Sequence, residues 1–299
     1  MINIKPTCII LINYNCELYI LNCLNSIIRN NFQTSDIIIV DNNSQDNSVK
    51  NILFAYPDVN MVYSNYNLGF SGGNNLGIKF ALTRSYKNII LLNPDTILED
   101  NFITELHKSI EEKCLLVPYI KSQVGENLMF NYICGFNFIT GRAITKSFDH
   151  FTYNFNYNNN LLMSSACAIL IPDTFFKDVG YFDENFFLYW EDTDLLYRGI
   201  KSGYKIKFVR TSELYHEESS STGGKLSDIS VYYNYRNRLY FMRKHKKNFI
   251  QFSLFLCIYF STTFIKILQL IINGKIHKVK IIFKAIIDFK NNNLGYNKL

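Results

Sequence analysis

Short apolar runs alternate with helix-period segments over the first hundred residues. Cys8 to Tyr14 is followed by Leu18 to Arg29, Asp36 to Val40 by Ser48 to Ala55, Asn60 to Ser64 by Asn74 to Thr83, and Asn88 to Asn93 by Phe102 to Glu112. This alternation predicts four βα units. Ile37-Ile38-Ile39-Val40 and Ile89-Ile90-Leu91-Leu92 lack the period-two pattern of a half-exposed strand, so they predict a parallel sheet covered on both faces. A doubly wound, Rossmann-like α/β domain follows. From about Lys121 to Asn160 the pattern dissolves into Asn, Tyr and Phe, with glycines at 125, 135 and 141, and predicts an acceptor-side excursion. Order resumes with the apolar run Cys167 to Ile171, a helical segment Asp173 to Val179, and a dense cluster Asp183 to Asp194.

Sheets of this kind bind ligands at the carboxyl ends of their strands, so the polar residues directly after each strand are the first candidates. The four strands run into Asn13-Tyr14-Asn15, Asp41-Asn42-Asn43-Ser44, Asn65 to Gly73, and Asn93-Pro94-Asp95-Thr96. Asp41 and Asp95 therefore share one edge. Asp95 has no adjacent lysine or arginine. It suits a hard divalent cation that also holds a diphosphate, with a helix cap or turn as the alternative. Asp41 suits hydrogen bonds from a nucleobase or ribose, although its neighbours are also good turn and cap residues. Asn67 to Gly77, with Gly69, Phe70, Gly73, Asn74 and Asn75, predicts flexible backbone before a helix start, fit for close approach of a nucleotide or its sugar. Its glycines do not fit GxGxxG, and no GxxxxGK[ST] occurs, which argues against dehydrogenases and P-loop NTPases. Trp190-Glu191-Asp192-Thr193-Asp194 places three acids in four positions beside Phe186, Phe187 and Tyr189. Aromatic faces stack on sugar rings while a carboxylate takes a proton from an acceptor hydroxyl; a solvated helix N-terminus is the plainer reading.

The 299 residues are 48% hydrophobic, enough for one large domain with a sizeable core and an appendage. Seven scattered cysteines without a CxxC pair, and no signal peptide at the start, predict a reducing, cytoplasmic compartment. The net charge of +6 is unevenly spread: from Lys225 onward there are 14 Lys+Arg against 2 Asp+Glu, leaving 17 against 23 before it. The spacers in the basic tail are apolar, which favours an anionic membrane surface as partner and not nucleic acid. Within Lys275 to Lys290, Ile276, Val279, Phe283 and Ile286 fall at helical spacing and predict an in-plane membrane helix. The uncharged run 248–265 before it leaves a transmembrane span, or a helix packing in a homo-oligomer or in the core, as alternatives. The expected division is a catalytic domain at 1–247 and a membrane-associating tail at 248–299.

Taken together and in order, Asn13-Tyr14-Asn15, Val40-Asp41-Asn42-Asn43-Ser44, Asn67-Leu68-Gly69-Phe70 with Gly73-Asn74-Asn75-Leu76-Gly77, Asn93-Pro94-Asp95, Trp190-Glu191-Asp192 and His216 resemble glycosyltransferase family 2. The resemblance covers roughly residues 7 to 245 and points to its rhamnosyltransferase and galactofuranosyltransferase-like branch. It implies a GT-A fold, with a nucleotide-sugar half at about 1–115 and an acceptor half at about 116–247. Asp41 would contact the base and ribose, with Asn13, Tyr14, Asn15, Asn43, Asn67, Gly69, Phe70, Gly73, Asn74, Asn75 and Asn93 around the donor. Asp95 matches the final acid of the family's DxD motif and His216 a metal-ligand histidine, implying Mn2+ or Mg2+. Asp192 matches the catalytic base, with Glu191 beside it and Trp190 and Glu191 at the acceptor. Asn93 departs from the pattern, standing where many relatives carry an acid. The implied reaction is inverting transfer of rhamnose or a hexose from a dTDP- or UDP-sugar to a saccharide acceptor, lipid-linked, in cell-surface polysaccharide synthesis of O-antigen or capsule type. The implied location is peripheral, on the cytoplasmic face of the plasma membrane. A non-catalytic nucleotide-sugar-binding or scaffold protein is the competing reading, against which Asp192, Asp95 and His216 speak. A nucleotidyltransferase lacks support because no Gly-rich start carries a basic residue.

Overall fold

In the computed structural model, residues 6–124, 127–130, 133–146, 167–217 and 227–297 are described. Strands β1 (Thr7–Asn13), β2 (Ile37–Asp41), β3 (Asn60–Tyr63) and β4 (Asn88–Leu92) lie parallel in the order β3-β2-β1-β4. Helices α1 (Ile20–Arg29), α2 (Ser48–Ala55) and α3 (Gly69–Thr83) make the crossovers. Every residue of β2 and β4 is buried, and alternate positions serve different cores. Ile9, Leu11, Ile37 and Ile39 pack with α1, α2 and α4 (Phe102–Lys108), while Ile10, Ile38 and Val40 pack with α3, α5 (Asp173–Asp178) and α6 (Glu191–Lys201). Two apolar faces explain why these strands show no polar alternation.

Beyond β4 the sheet becomes mixed. β10 (Ala168–Pro172) runs antiparallel to β4. It joins β6 (Cys114–Val124), which pairs in parallel with β11 (Lys205–His216), and the three-residue β5 (Thr96–Leu98) closes the edge against β11. Part of the stretch expected to be an irregular excursion is hairpins. β7 (Asn127–Phe130) extends β6, and β8 (Ile133–Asn137) pairs with β9 (Arg142–Lys146). Residues 125–126, 131–132 and 147–160 of that stretch lie outside the described residues.

One expectation is corrected at α3. The helix starts at Gly69 and not at Asn74, so most of the supposed flexible loop is helix. Its glycines answer to packing: a Cβ on Gly77 would sit 2.7 Å from Ile10 Cγ2 and 3.0 Å from Val40 Cγ2. Glycine is a poor helix former, but here it lets the helix approach the sheet closely.

The C-terminal quarter is helical, with α7 (Asp228–His245), α8 (Phe249–Ile272) and α9 (Ile276–Lys290). α8 packs through Phe255, Tyr259 and Thr263, spaced one turn apart, and exposes Phe249, Ile250, Leu254, Phe260, Phe264, Ile265 and Leu268. By length and composition it could cross a membrane. α9 returns along α7. Its expected apolar stripe is divided, since Val279 is buried with Ile282 and Ala285, whereas Ile276 and Phe283 are exposed. Two of its lysines are engaged by acids: Lys278 pairs with Asp228, and Lys284 lies 3.0 Å from Asp288.

Candidate active site

At the carboxyl ends of β1, β2 and β4 a cleft of about 400 Å³ opens. One wall is Tyr14, Asn42, Asn67, Gly69 and Phe70; the floor is Asn93, Pro94 and Asp95; the opposite wall is Phe187, Leu188 and Tyr233. Pro94 sits in the turn that ends β4 and begins β5. β5 then pairs with β11 so that Thr96 faces His216, and the Glu217 amide donates to the Asp95 carbonyl at 3.0 Å. This pairing brings the Asp95 carboxylate within 3.3 Å of His216 Nε2. The two expected metal ligands, distant in sequence, thus meet at the cleft.

Their chemistry fits a hard divalent cation, with one carboxylate oxygen and one imidazole nitrogen presented together and both largely shielded. Among the described residues no group of three His, Cys, Asp or Glu side chains converges. Among the described residues these two side chains are the donors such an ion would meet.

Asn13 and Asp41 are register partners at the ends of β1 and β2. The Asn13 amide donates to Asp41 at 3.0 Å, and Ser44 N donates to the second carboxylate oxygen at 3.3 Å. Asp41 is placed behind the cleft wall, which at this level is Asn42. Asn42 is a residue the sequence reading passed over. Its amide donates to Asn67 Oδ1 and to the Gly69 carbonyl, and its oxygen accepts from Leu68 N at 2.9 Å, tying the exit of β2 to the start of α3. Asn15 and Asn43 adopt left-handed backbone (φ 53° and 67°), and Asn15 Oδ1 accepts from Gln45 N; both are exposed turn residues.

Gly73, Asn74 and Asn75 are buried within α3 and do not line the cleft. Asn74 donates to the Phe70 carbonyl. Asn75 exchanges hydrogen bonds with the backbone of Phe182 and donates to Glu184, binding α3 to a distant loop. The N-terminus of α3 is also occupied: Phe70 N and Ser71 N donate to the Phe187 carbonyl at 2.8 and 3.3 Å. Gly69 has φ +70°, and a Cβ there would lie 2.4 Å from that same oxygen. The glycine-rich segment grips the loop facing it, where close approach to a nucleotide was expected.

That loop carries unusual backbone. Phe187, Tyr189 and Trp190 have φ of 64°, 65° and 77°, conformations that cost side-chain-bearing residues about 1–3 kcal/mol each. α7 holds them. Asn237, fully buried, donates from Nδ2 to the carbonyls of Phe186, Leu188 and Tyr189 at 2.8, 2.9 and 2.8 Å. Arg236, also fully buried, reaches the carbonyls of Asn185, Phe186 and Gly295. Asn237→Ala is therefore expected to lower stability by about 1–3 kcal/mol. It should also lower turnover more than it lowers nucleotide affinity, because the loop that leads into Asp192 loses its template. Urea unfolding together with steady-state kinetics checks this.

The three acids after the loop have separate roles. Glu191 is 5% exposed, its Oε2 has no hydrogen-bond partner, and burial reinforced by the Asp192 charge raises its pKa well above the usual carboxyl value. Both effects favour its protonated form over the carboxylate that a general base needs. Asp192 is half-buried in the first turn of α6, its Oδ1 accepting from Thr193 N at 2.6 Å. Asp194 is fully buried and structural. Burial would raise its pKa, but His245, Arg198 and Lys244 bring it down to about 2. Trp190 is half-buried, its indole N–H donating to Asn234 Oδ1 at 3.2 Å.

A last cleft wall comes from the C-terminus, which gives no sign of it in sequence. Gly295 N donates to the Asn185 carbonyl, Asn297 N to the Tyr233 hydroxyl, and the Tyr296 ring lies 5.2 Å from that of Phe187. Tyr296 and Asn297 both line the cleft.

Comparison with known proteins identifies the family and the fold. The profile for Glycosyl transferase family 2 matches residues 8–180. The low-salt glycan biosynthesis hexosyltransferase Agl10 of Haloferax volcanii is 26% identical over 243 residues, 77% of this chain and 73% of the relative. The crystal structure of S. aureus TarS 1–349 in complex with UDP-GlcNAc superposes with a TM-score of 0.59 at 16% identity, covering 95% of this chain and 80% of that one. GalNAc-T7, crystallised with UDP, GalNAc and Mn2+, gives 0.60 at 15% identity over 77% of this chain, which spans about half (48%) of that one. The structural likenesses establish a GT-A type of fold.

Proposed function

The chain belongs to glycosyl transferase family 2, and from that premise we propose that it is an inverting transferase that moves rhamnose or a hexose from a dTDP- or UDP-sugar to a lipid-linked saccharide. The observation that carries this reading is the junction of the Asp95–His216 pair with a cleft whose far wall, Phe187 and Leu188, runs directly into Asp192. A sugar diphosphate lying on Asn93–Asp95 would have its reacting carbon facing that loop.

In this scheme Tyr14, Asn42 and Asn67 bind the nucleotide side of the cleft, with Asp41 holding Asn13 and the Ser44 turn in place behind them. Asp192 accepts the proton of the acceptor hydroxyl as its oxygen attacks the anomeric carbon, and the bond to the diphosphate breaks on the opposite side. Trp190 stacks on the acceptor. Glu191 is buried with its pKa raised, which favours Asp192 as the basic carboxylate of the pair. A Mn2+ or Mg2+ ion held by Asp95 and His216 would compensate the charge of the departing diphosphate.

The exposed apolar side of α8, with Lys246 and Lys247 before it and Lys266 within it, would hold the enzyme at an anionic membrane surface. Such peripheral attachment to a cytoplasmic leaflet fits an acceptor anchored in lipid. The test of the reaction is the anomeric configuration of the product, read by NMR coupling constants. Inversion is expected; a retained configuration contradicts a single displacement at Asp192. Turnover is also expected to stop in EDTA and return with Mn2+ or Mg2+, and full turnover in EDTA would remove the metal role from Asp95 and His216.

A further inference from the structure

A second cleft opens behind Trp190. Two adjoining cavities of about 390 and 310 Å³ share Arg142, Tyr235 and Arg238; Trp190 lines the first, and Lys266 of α8 lines the second. The groove is bounded by the β8–β9 turn, α7 and α8. The turn is seated firmly, since Gly141, at φ +61°, leaves no room for a Cβ beside the Phe255 ring, 2.5 Å away.

The groove is positive. Arg238 is half-buried, donates from Nε to the Gly141 carbonyl at 2.9 Å and lies over the rings of Phe255 and Tyr259. Among the described residues no carboxylate pairs with Arg142, Arg238 or Lys266. Burial, with the charge of Arg142 added, disfavours the ionised Arg238, a strain that a bound anion would relieve. A guanidinium held in place at Arg238, with the exposed Arg142 and Lys266 beside it, is suited to phosphate oxygens. The ends of the groove narrow the choice of anion. One end is Trp190, adjacent to Asp192; the other is the stretch of α8 whose Phe264, Ile265 and Leu268 are exposed.

We propose that Arg142, Arg238 and Lys266 bind the phosphate or diphosphate of the lipid-linked acceptor, with the lipid lying along α8 and the saccharide reaching Trp190. This rests on the transferase reading above and adds to it the chemistry of the acceptor's linker. The site also explains why an apolar helix is packed against the catalytic body at this side of Trp190.

The test uses Trp190, the only tryptophan in the chain, as reporter. The full-length protein in detergent is titrated with farnesyl diphosphate, farnesol and inorganic pyrophosphate while indole fluorescence is followed. Saturable binding is expected for farnesyl diphosphate, at least about tenfold weaker in Arg142→Ala/Lys266→Ala, with farnesol and pyrophosphate far weaker than the diphosphate lipid. Both replaced side chains are exposed, so the melting temperature should hold. The proposal is overturned if the double variant titrates like the wild type, or if pyrophosphate binds as tightly as the lipid, which would make this a site for free phosphates. No nucleotide is present, so a failed titration beside intact donor turnover condemns the groove alone, whereas a good titration beside absent turnover condemns the transferase reading.

Discussion

Asp192→Asn is expected to lower kcat by about 10²–10⁴-fold, the usual contribution of a positioned general base, with donor affinity and melting temperature near those of the wild type. The side chain is half-buried at the start of α6, and Asn keeps an oxygen for the Thr193 amide that Asp192 now accepts from. What disappears is the capacity to take a proton. Glu191 is a poor substitute, because burial raises its pKa and favours the protonated form. In the proposed scheme donor binding belongs to the other wall of the cleft, so a nucleotide titration should distinguish the two effects. A variant that turns over at more than a tenth of the wild-type rate would take the base away from Asp192.

Asp194→Ala acts on the fold. The fully buried carboxylate accepts from Arg198 Nε at 2.8 Å and stands 2.7 Å from both Lys244 Nζ and His245 Nε2. It thereby ties the first turn of α6 to the end of α7. Removing it strips Arg198 and His245 of their carboxylate partner and leaves Lys244 with Asp183 alone, a change that costs about 3–5 kcal/mol in comparable buried networks. The pH dependence has a definite sign. The folded pKa of about 2 lies below the ordinary 3.8, so this stabilisation is present above 3.8 and fades as the pH falls toward 2. Glu191 runs the other way: its raised pKa gives stability that is full below the ordinary carboxyl value and is lost as rising pH ionises it. Urea unfolding at neutral pH and near pH 3 should show the Asp194→Ala deficit shrinking in acid. A deficit below about 1 kcal/mol at neutral pH, the size of an exposed pair, would contradict a buried network.

The strands β1 to β4 are legible in sequence because both sheet faces are covered and each strand is a run of Ile, Val and Leu. Asp95 and His216 are individually weak signals. Only the three-residue pairing of β5 with β11 joins them, and so short a strand leaves no periodic trace. The glycine-rich segment misled because low helix propensity was weighed without the sheet beneath it. Gly77 is there for Ile10 and Val40, and Gly69 for Phe187. Arg236 and Asn237 were hidden for another reason. In a basic tail they pass for surface residues, yet both are fully buried and organise the backbone of Asn185 to Tyr189, far away in the chain. Asp41 drew attention as the charged residue at a strand end, although Asn42 lines the cleft. Tyr296 had no signal, because a contact made by the last residues of a chain depends on where three preceding helices lead it.

The most direct test of the central claim is nucleotide release from a panel of dTDP- and UDP-sugars by the purified protein, in detergent with Mn2+ or Mg2+ and a lipid-linked acceptor extract. Acceptor-dependent release from one donor is expected. Tight donor binding without release, across acceptors that a known transferase can use, would contradict a catalytic role and leave a nucleotide-sugar-binding protein.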